Sequence, residues 1–324
     1  MRKDMEPQAL PRFTVELAKV TSYDHAAVTT AGELLDSLKL PIAPGDRVLV
    51  KPNLLRANVL ACTHAVITAG VCRYLRDRGC RVTVGDSPGF GTAKGVAKAI
   101  GLNTALEQFG CADLPFITLD LPVRKPLTLG GSLGLSRHAL ETDHILNLPK
   151  LKAHSQMCVT GATKNLFGCI SGIRKAVLHS QYGDKERDGI AMFPSAIADI
   201  LRYLPPVTTL MDGVTAMHVS GPSAGREFPA HFLAASKSPV ALDTAVYSML
   251  SVPPEEVPLW HELRRRNEPG SFFEEIILSG ENITTFDLSG FILPYKLLPQ
   301  TFNPIRLMVS TTKRLWARLV TVKG

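Results

Sequence analysis

The sequence predicts an α/β fold: a mainly parallel sheet with flanking helices and a middle insertion or smaller second lobe. Two observations carry this. Short apolar runs alternate with stretches of helical periodicity along most of the chain. The clearest stretch, Arg47 to Val84, reads as strand, helix, strand. Such a βαβ unit implies parallel strands and a right-handed crossover.

Each element has its own signal. Phe13 to Val20 alternates as a strand does, and Val28 to Leu38 carries helix-spaced apolar residues. Pro44-Gly45-Asp46 turns the chain into the strand Arg47–Lys51. Thr63 is placed as N-cap of a helix to Arg78, with Val66, Ile67, Val71, Tyr74 and Leu75 on one stripe and Gly79 after its end. Arg81–Val84 is a strand, Lys94–Phe109 a helix interrupted at Gly101, and Pro115–Asp120 a strand. Arg124–Leu135 is a hairpin around Gly130-Gly131. His144–Leu148 is a buried strand. Ser171 to Gly189 reads as a loop, Phe193–Leu204 as a helix stopped by Pro205-Pro206, and Val207–Met211 as a strand ending at Asp212-Gly213. Phe232–Ala235 and Glu275–Leu278 are strands; Pro239–Leu250 and Glu255–Arg266 are helices. The division that follows puts a first strand and helix in residues 1–44 and the α/β domain in 45–290. An insertion falls at 124–205, and residues 291–324 form a basic amphipathic tail.

Composition narrows the partners. The chain has 324 residues, 45% of them hydrophobic, which is ordinary for a globular protein. The net charge of +7 favours anionic partners. Aromatics make up only 6%, and no basic run interleaves with them, which argues against nucleic acid. The six cysteines lack the spacing of a zinc or iron–sulfur site, and fit reduced thiols in a cytoplasmic protein. The start of the chain has no signal-peptide pattern, and no run is apolar and long enough to cross a membrane.

The chemistry concentrates between His144 and Gly168. Lys150, Lys152 and His154 alternate with Leu151 and Ala153, so an extended backbone puts the three basic groups on one side. Thr160, Gly161, Thr163, Lys164 and Asn165 follow. Elsewhere, predicted strands end in Lys51-Pro52-Asn53, Gly85-Asp86-Ser87 and Asp212-Gly213. Ligands of open parallel sheets bind beyond the carboxyl ends of the strands, so these motifs are expected to meet at one rim. Each has a plainer explanation as a turn or a solvated end; their convergence is the argument. Crowded ammonium groups lower one another's pKa and call for an anion between them. The expectation is that Lys152, His154 and Lys164 act chemically, while Lys51, Asn53, Asp86, Ser87, Lys150, Asn165, Asp212 and Gly213 bind the substrate.

These motifs resemble a known family. Val-Leu-Val-Lys-Pro-Asn (48–53), Val-Gly-Asp-Ser-Pro-Gly (84–89), Asn-Leu-Pro-Lys-Leu-Lys-Ala-His (147–154), Lys-Asn-Leu-Phe-Gly (164–168), Met-Asp-Gly (211–213) and Gly-Pro-Ser-Ala-Gly (221–225) recur in this order in the domain-of-unknown-function 362 family. So does Ser-Pro-Val-Ala-Leu-Asp-Thr-Ala (238–245). The resemblance implies an α/β fold and a prokaryotic, cytoplasmic setting. Many members resemble iron–sulfur proteins through a ferredoxin-like Cys-x-x-Cys-x-x-Cys segment, which this sequence lacks. The family is also distantly similar to nickel-pincer lactate racemases.

Two functions follow. One is an enzyme acting on a small anionic carboxylate or phosphate. The other is an accessory or binding protein in an iron–sulfur redox or metallocofactor system, with a redox partner protein. The tail, with Lys313, Arg314, Arg318 and Lys323 among Leu315, Trp316 and Leu319, could touch an acidic membrane surface. A helix packed on the domain is the preferred reading of it.

Overall fold

The computed structural model describes residues 12–172, 174–222 and 224–298. Strand β1 (Phe13–Lys19) leads into helix α1 (His25–Ser37), β2 (Arg47–Pro52), α2 (Ala65–Asp77) and β3 (Arg81–Asp86). Helices α3 (Ala93–Ala99) and α4 (Leu102–Gln108) are separated at Gly101, whose φ of 75° no ordinary helix residue adopts. Next come β4 (Phe116–Thr118), the hairpin β5 (Pro122–Pro126) and β6 (Ser132–Ser136), and α5 (Arg137–Leu140). The central stretch holds β7 (His144–Leu148), β8 (Lys150–His154), β9 (Cys158–Thr160) and the short α6 (Ala162–Asn165). After it come α7 (Arg174–Tyr182), the small hairpin β10 (Glu186–Arg187) and β11 (Ile190–Ala191), and α8 (Met192–Ala198). The chain closes with β12 (Val207–His218), β13 (Arg226–Phe228), β14 (Phe232–Ser236), α9 (Pro239–Met249), α10 (Pro258–Arg265) and β15 (Ile276–Gly280).

The main sheet has the order β15-β1-β14-β12-β7-β2-β3-β4. It is parallel from β12 to β4 and between β15 and β1, and antiparallel where β14 meets β1 and β12. Helices cover both faces, and side-chain alternation sorts the strands between them. Val48, Val50, Leu146 and Leu148 pack with Leu34, Leu35, Ile67 and Leu75 of α1 and α2. Leu49 and Ile145, one residue out of phase, pack with Phe193 and Ile197 of α8 on the opposite side. A third core gathers Val15, Leu17 and Phe232 around Leu242, Val246 and Trp260 of α9 and α10.

Several elements depart from expectation. His64, not Thr63, is the N-cap of α2: its Nδ1 accepts from Val66 N–H. The Thr63 hydroxyl instead ties Asn53 N–H to Leu148 C=O across strand ends. The expected loop 171–189 contains α7. Its glycines and charges suggested a loop, but Ala176, Leu178 and His179 form a buried face. Strand β12 does not stop at Asp212-Gly213. It continues to His218, because Asp212 is satisfied within the sheet and Gly213 leaves room for the ring of Phe232. Of residues 124–205, β7 and β8 lie in the central sheet. The β5–β6 and β10–β11 hairpins form sheets of their own. The basic tail from Val309 to Val322 lies outside the described residues.

Candidate functional site

The site grows from the carboxyl ends of β2 and β3. Lys51 is completely buried, and its ammonium sits 2.9 Å from Asp86 Oδ1. Asp86 Oδ2 accepts from Leu54 N–H at 2.8 Å. Gly168 presses its backbone onto this pair: a Cβ there would strike Asp86 Oδ1 and Lys51 Nζ. The glycine of Lys-Asn-Leu-Phe-Gly is therefore a packing requirement of the ion pair.

A second pair lies one strand away. Lys150 stands in register opposite Asp212 and donates to its Oδ2 at 2.8 Å. The same oxygen accepts from His64 N–H, and Oδ1 accepts from the Tyr23 hydroxyl at 2.7 Å. Lys150 also donates to the Tyr23 oxygen at 2.7 Å, and the Tyr23 ring stacks on His64 at 3.6 Å. Burial and the Asp212 charge drive the Tyr23 pKa far up, so its hydroxyl stays a donor. Asp212 is thus committed to internal donors. Among the described residues no group of three or more His, Cys, Asp or Glu side chains is placed to hold a metal.

Between the pairs runs a chain of amides. Asn147 donates to Ala162 C=O at 3.0 Å and accepts from Asn165 Nδ2 at 2.8 Å. Asn165 Oδ1 accepts from Asn53 Nδ2 at 2.7 Å, and Asn53 Oδ1 accepts from Lys152 Nζ at 2.6 Å. Each amide is oriented by its neighbour, which fixes where Lys152 points. Lys152 also donates to Ala61 C=O at 2.8 Å. Asp243 on α9 anchors α6 by accepting from Ala162 N–H at 2.6 Å and Thr163 N–H at 2.8 Å. Gly161 leaves the space for that carboxylate, and burial raises the Asp243 pKa to about 6.

Lys152 and Lys164 differ from the first two lysines. Neither forms an ion pair with a carboxylate among the described residues. Burial lowers the Lys152 pKa to about 8, with Lys150 and Lys51 adding to the shift against the nearby Cys62 and Asp86. Burial, then Lys152, Lys175 and Lys51, lowers that of Lys164 to about 7. The Lys164 ammonium lies over the rings of Phe167 and Phe193, 4.3 and 5.6 Å from their centroids. His179 of α7 completes this aromatic group, 4.1 Å from Phe193. Beside it, His154 Nδ1 accepts from Gln156 N–H and Met157 N–H at the β8–β9 turn. That fixes the tautomer: the proton is on Nε2. Burial, then Lys164, His179 and Lys152, holds the His154 pKa well below its ordinary value.

Most of the expected residues therefore lie near one another: Lys51, Asn53, Asp86, Lys150, Lys152, Asn165 and Asp212 in the ion pairs and the amide chain, with His154 and Lys164 close enough to feel the Lys152 charge. Leu151 and Ala153 sit in the α9 core, so the alternation in β8 separates basic from apolar side chains. Ser87 stands at the edge, where its hydroxyl accepts from Gly172 N–H at 3.1 Å. Gly213 is set apart, facing Phe232 on the other side of β12. The lysines were expected at an open rim. Lys51, Lys150 and Lys152 are instead interior, because β8 runs as a sheet strand beside β12.

Sequence reasoning missed Asn147, Tyr23, His64, Lys175 and His179. Asn147 carried a signal, since a lone amide in an apolar strand must find partners. Lys175 and His179 share a helical spacing of four that was hidden by the loop reading. Nothing local marked Tyr23.

A family model described as Domain of unknown function (DUF362) matches residues 48–248. The chain is 32% identical over 319 residues to a thylakoid-associated protein of Synechocystis sp., covering 95% of this chain and 96% of that one. Similar solved structures include the lactate racemase apoprotein from Thermoanaerobacterium thermosaccharolyticum, 12% identical with a TM-score of 0.39, covering 62% of this chain and 50% of that one. Another is a Thermotoga maritima protein, 12% identical with a TM-score of 0.39, covering 65% and 54%. The chain matches about half the length of each of these two structures. On the family model and the cyanobacterial relative, the chain belongs to the DUF362 family.

Proposed function

We propose that this DUF362 protein is an enzyme that binds a small carboxylate or phosphate-bearing metabolite between Lys152 and Lys164 and moves a proton on it. The observation that carries the reading is the contrast among four buried or half-buried lysines. Lys51 and Lys150 have carboxylates of their own, whereas among the described residues Lys152 and Lys164 do not. Two ammonium groups crowded in a poorly solvated place gain most from an anion supplied from outside. A lysine poised near neutral pH can also accept and return a proton, so Lys164 is the proposed acid–base group. Lys152, aimed by Asn53, holds the anion, and the Nε2–H of His154 is the proposed third donor. Lys51, Lys150, Asp86 and Asp212 form the ionic scaffold beneath them. Helix α7, carrying Lys175 and His179, covers the site and moves to admit the ligand.

The test is calorimetric titration of the protein with small carboxylates. Wild type is expected to bind, and Lys152→Met and Lys164→Met to lose binding while keeping their circular dichroism. Equal affinity in all three proteins rejects the site.

A second reading is favoured by one observation, the thylakoid-associated name of the cyanobacterial relative. Here the protein is an accessory factor of a redox or metallocofactor system, with a cytoplasmic body and peripheral membrane contact. Exposed Ile292, Tyr295 and Leu298 lead toward the basic tail, which suits an acidic lipid surface. No helix of the described residues is long and apolar enough to cross a membrane. Flotation with anionic liposomes distinguishes the readings: a full chain that does not float removes the membrane contact, and a protein truncated after Leu298 that floats as well as the full chain removes the tail from it.

A further inference from the structure

We propose a second anion site, outside α7, in which Arg124 and Arg174 together grip the phosphate of a small monoester whose apolar body lies along the β5–β6 hairpin. The geometry begins with Gly134. It is the cross-strand partner of Arg124, and directly opposed residues of an antiparallel ladder project to the same face. Gly134 has no side chain to fill that position. The stem of Arg174 fills it: a Cβ on Gly134 would lie 2.5 Å from Arg174 Cδ and 3.0 Å from its Nε. Two guanidinium-bearing side chains are thereby laid next to each other on one face of the hairpin, one from a strand and one from a helix.

The surroundings favour a ligand over a mutual accident. Both arginines line a cleft of about 390 Å³ together with Pro122, Leu133, Val177 and Gln181, and among the described residues no acidic side chain lines it. That volume falls within the range of small-molecule pockets. Arg124 Nε is held by the Ser132 hydroxyl at 2.7 Å, which orients the guanidinium and leaves its outer N–H groups to a ligand. Two planar forks of like charge repel when empty and match the oxygens of a phosphate dianion when filled. Pro122, Leu133 and Val177 offer an apolar wall, and Gln181 an amide at its end. This site differs from the interior one in kind. Its cations are exposed and always charged, so it is open to a ligand without movement of α7.

Phenyl phosphate is a suitable probe, titrated calorimetrically into wild type, Arg124→Gln, Arg174→Gln and Lys152→Met. Binding is expected in wild type and in Lys152→Met, with inorganic phosphate weaker for want of the apolar body. Each arginine variant is expected to bind about tenfold or more weakly, the effect of losing one charge-assisted contact. Both arginines are on the surface, so unchanged melting temperatures would confirm that folding is intact. No binding by wild type, or binding by both arginine variants as tight as that of wild type, overturns the proposal. Loss of binding in Lys152→Met alone also overturns it, by assigning the probe to the interior site.

Discussion

Lys51 and Lys150 make one pair of cations, and the buried Lys152 and half-buried Lys164 another. The first pair is neutralised within the sheet, by Asp86 at 2.9 Å and Asp212 at 2.8 Å. The second pair has carbonyl and amide oxygens, or aromatic faces, but no carboxylate among the described residues. Charge that is already balanced serves the fold, and charge left over is available to a ligand. The lysine letter is the same in all four places; the difference lies in what stands opposite.

The strongest way to break this contrast is to remove one half of a balanced pair. Asp86→Ala leaves Lys51 buried without its counter-charge and is expected to cost about 3–5 kcal/mol of stability. Denaturant titration reads this, and the double variant Lys51→Met/Asp86→Leu should recover most of the loss. If Asp86→Ala melts like wild type, the pair is not a scaffold. Lys164→Met should go the other way. Removing an unbalanced buried charge is expected to raise stability by about 0.5–2 kcal/mol. The same change should weaken anion binding by about 2–5 kcal/mol. A substitution that stabilises the protein while removing its ligand would sharpen the distinction more than any other result.

Gly168→Ala tests the scaffold from outside. The added methyl meets the Lys51–Asp86 pair, with an expected cost of about 1–3 kcal/mol on thermal denaturation. A neutral result would mean that the Leu166–Cys169 segment can shift away.

A pH dependence tests the second pair without any substitution. Lys152 and Lys164 have folded pKa values of about 8 and about 7, below their ordinary 10.5. The unfolded chain therefore binds more protons between roughly pH 7 and 10.5, and these two groups make stability rise with pH across that window. Ligand binding has the opposite sign. An anion favours the protonated lysines, so affinity should fall as pH rises through 7 to 8. At pH 8 binding should take up protons, and its enthalpy should vary with the ionisation heat of the buffer. A pH-independent affinity would sever these lysines from the ligand.

The legible parts of this molecule were those where a local rule suffices. Period-two and helical patterns marked β1, β2, α2 and β3, and Gly101 marked the break between α3 and α4. The alternation of Lys150, Lys152 and His154 against Leu151 and Ala153 was legible for the same reason. Pairing was not. Nothing near Tyr23 says that its hydroxyl reaches Asp212, or near Lys51 that Asp86 will neutralise it, since these depend on strand order. Helix α7 was obscured because glycines and charges around it resemble a loop until Lys175 and His179 acquire an interior to face. Asp-Gly is a turn signal in isolation, so the pattern ends β12 at Met211, and a sheet interior overrides it.

Pro149 is the only residue between β7 and β8, and its carbonyl accepts from Asp212 N–H at 2.9 Å. Strand β12 keeps one register from Val207 opposite Ile145 through Asp212 opposite Lys150, and slips only beyond that point. A single inserted or deleted codon at Pro149 would therefore rotate every later side chain of β8 to the wrong side, sending ammonium groups into oil and leucine into the polar centre. Length changes among natural variants should accumulate freely in the surface turns of the β5–β6 hairpin, and be purged from this one joint.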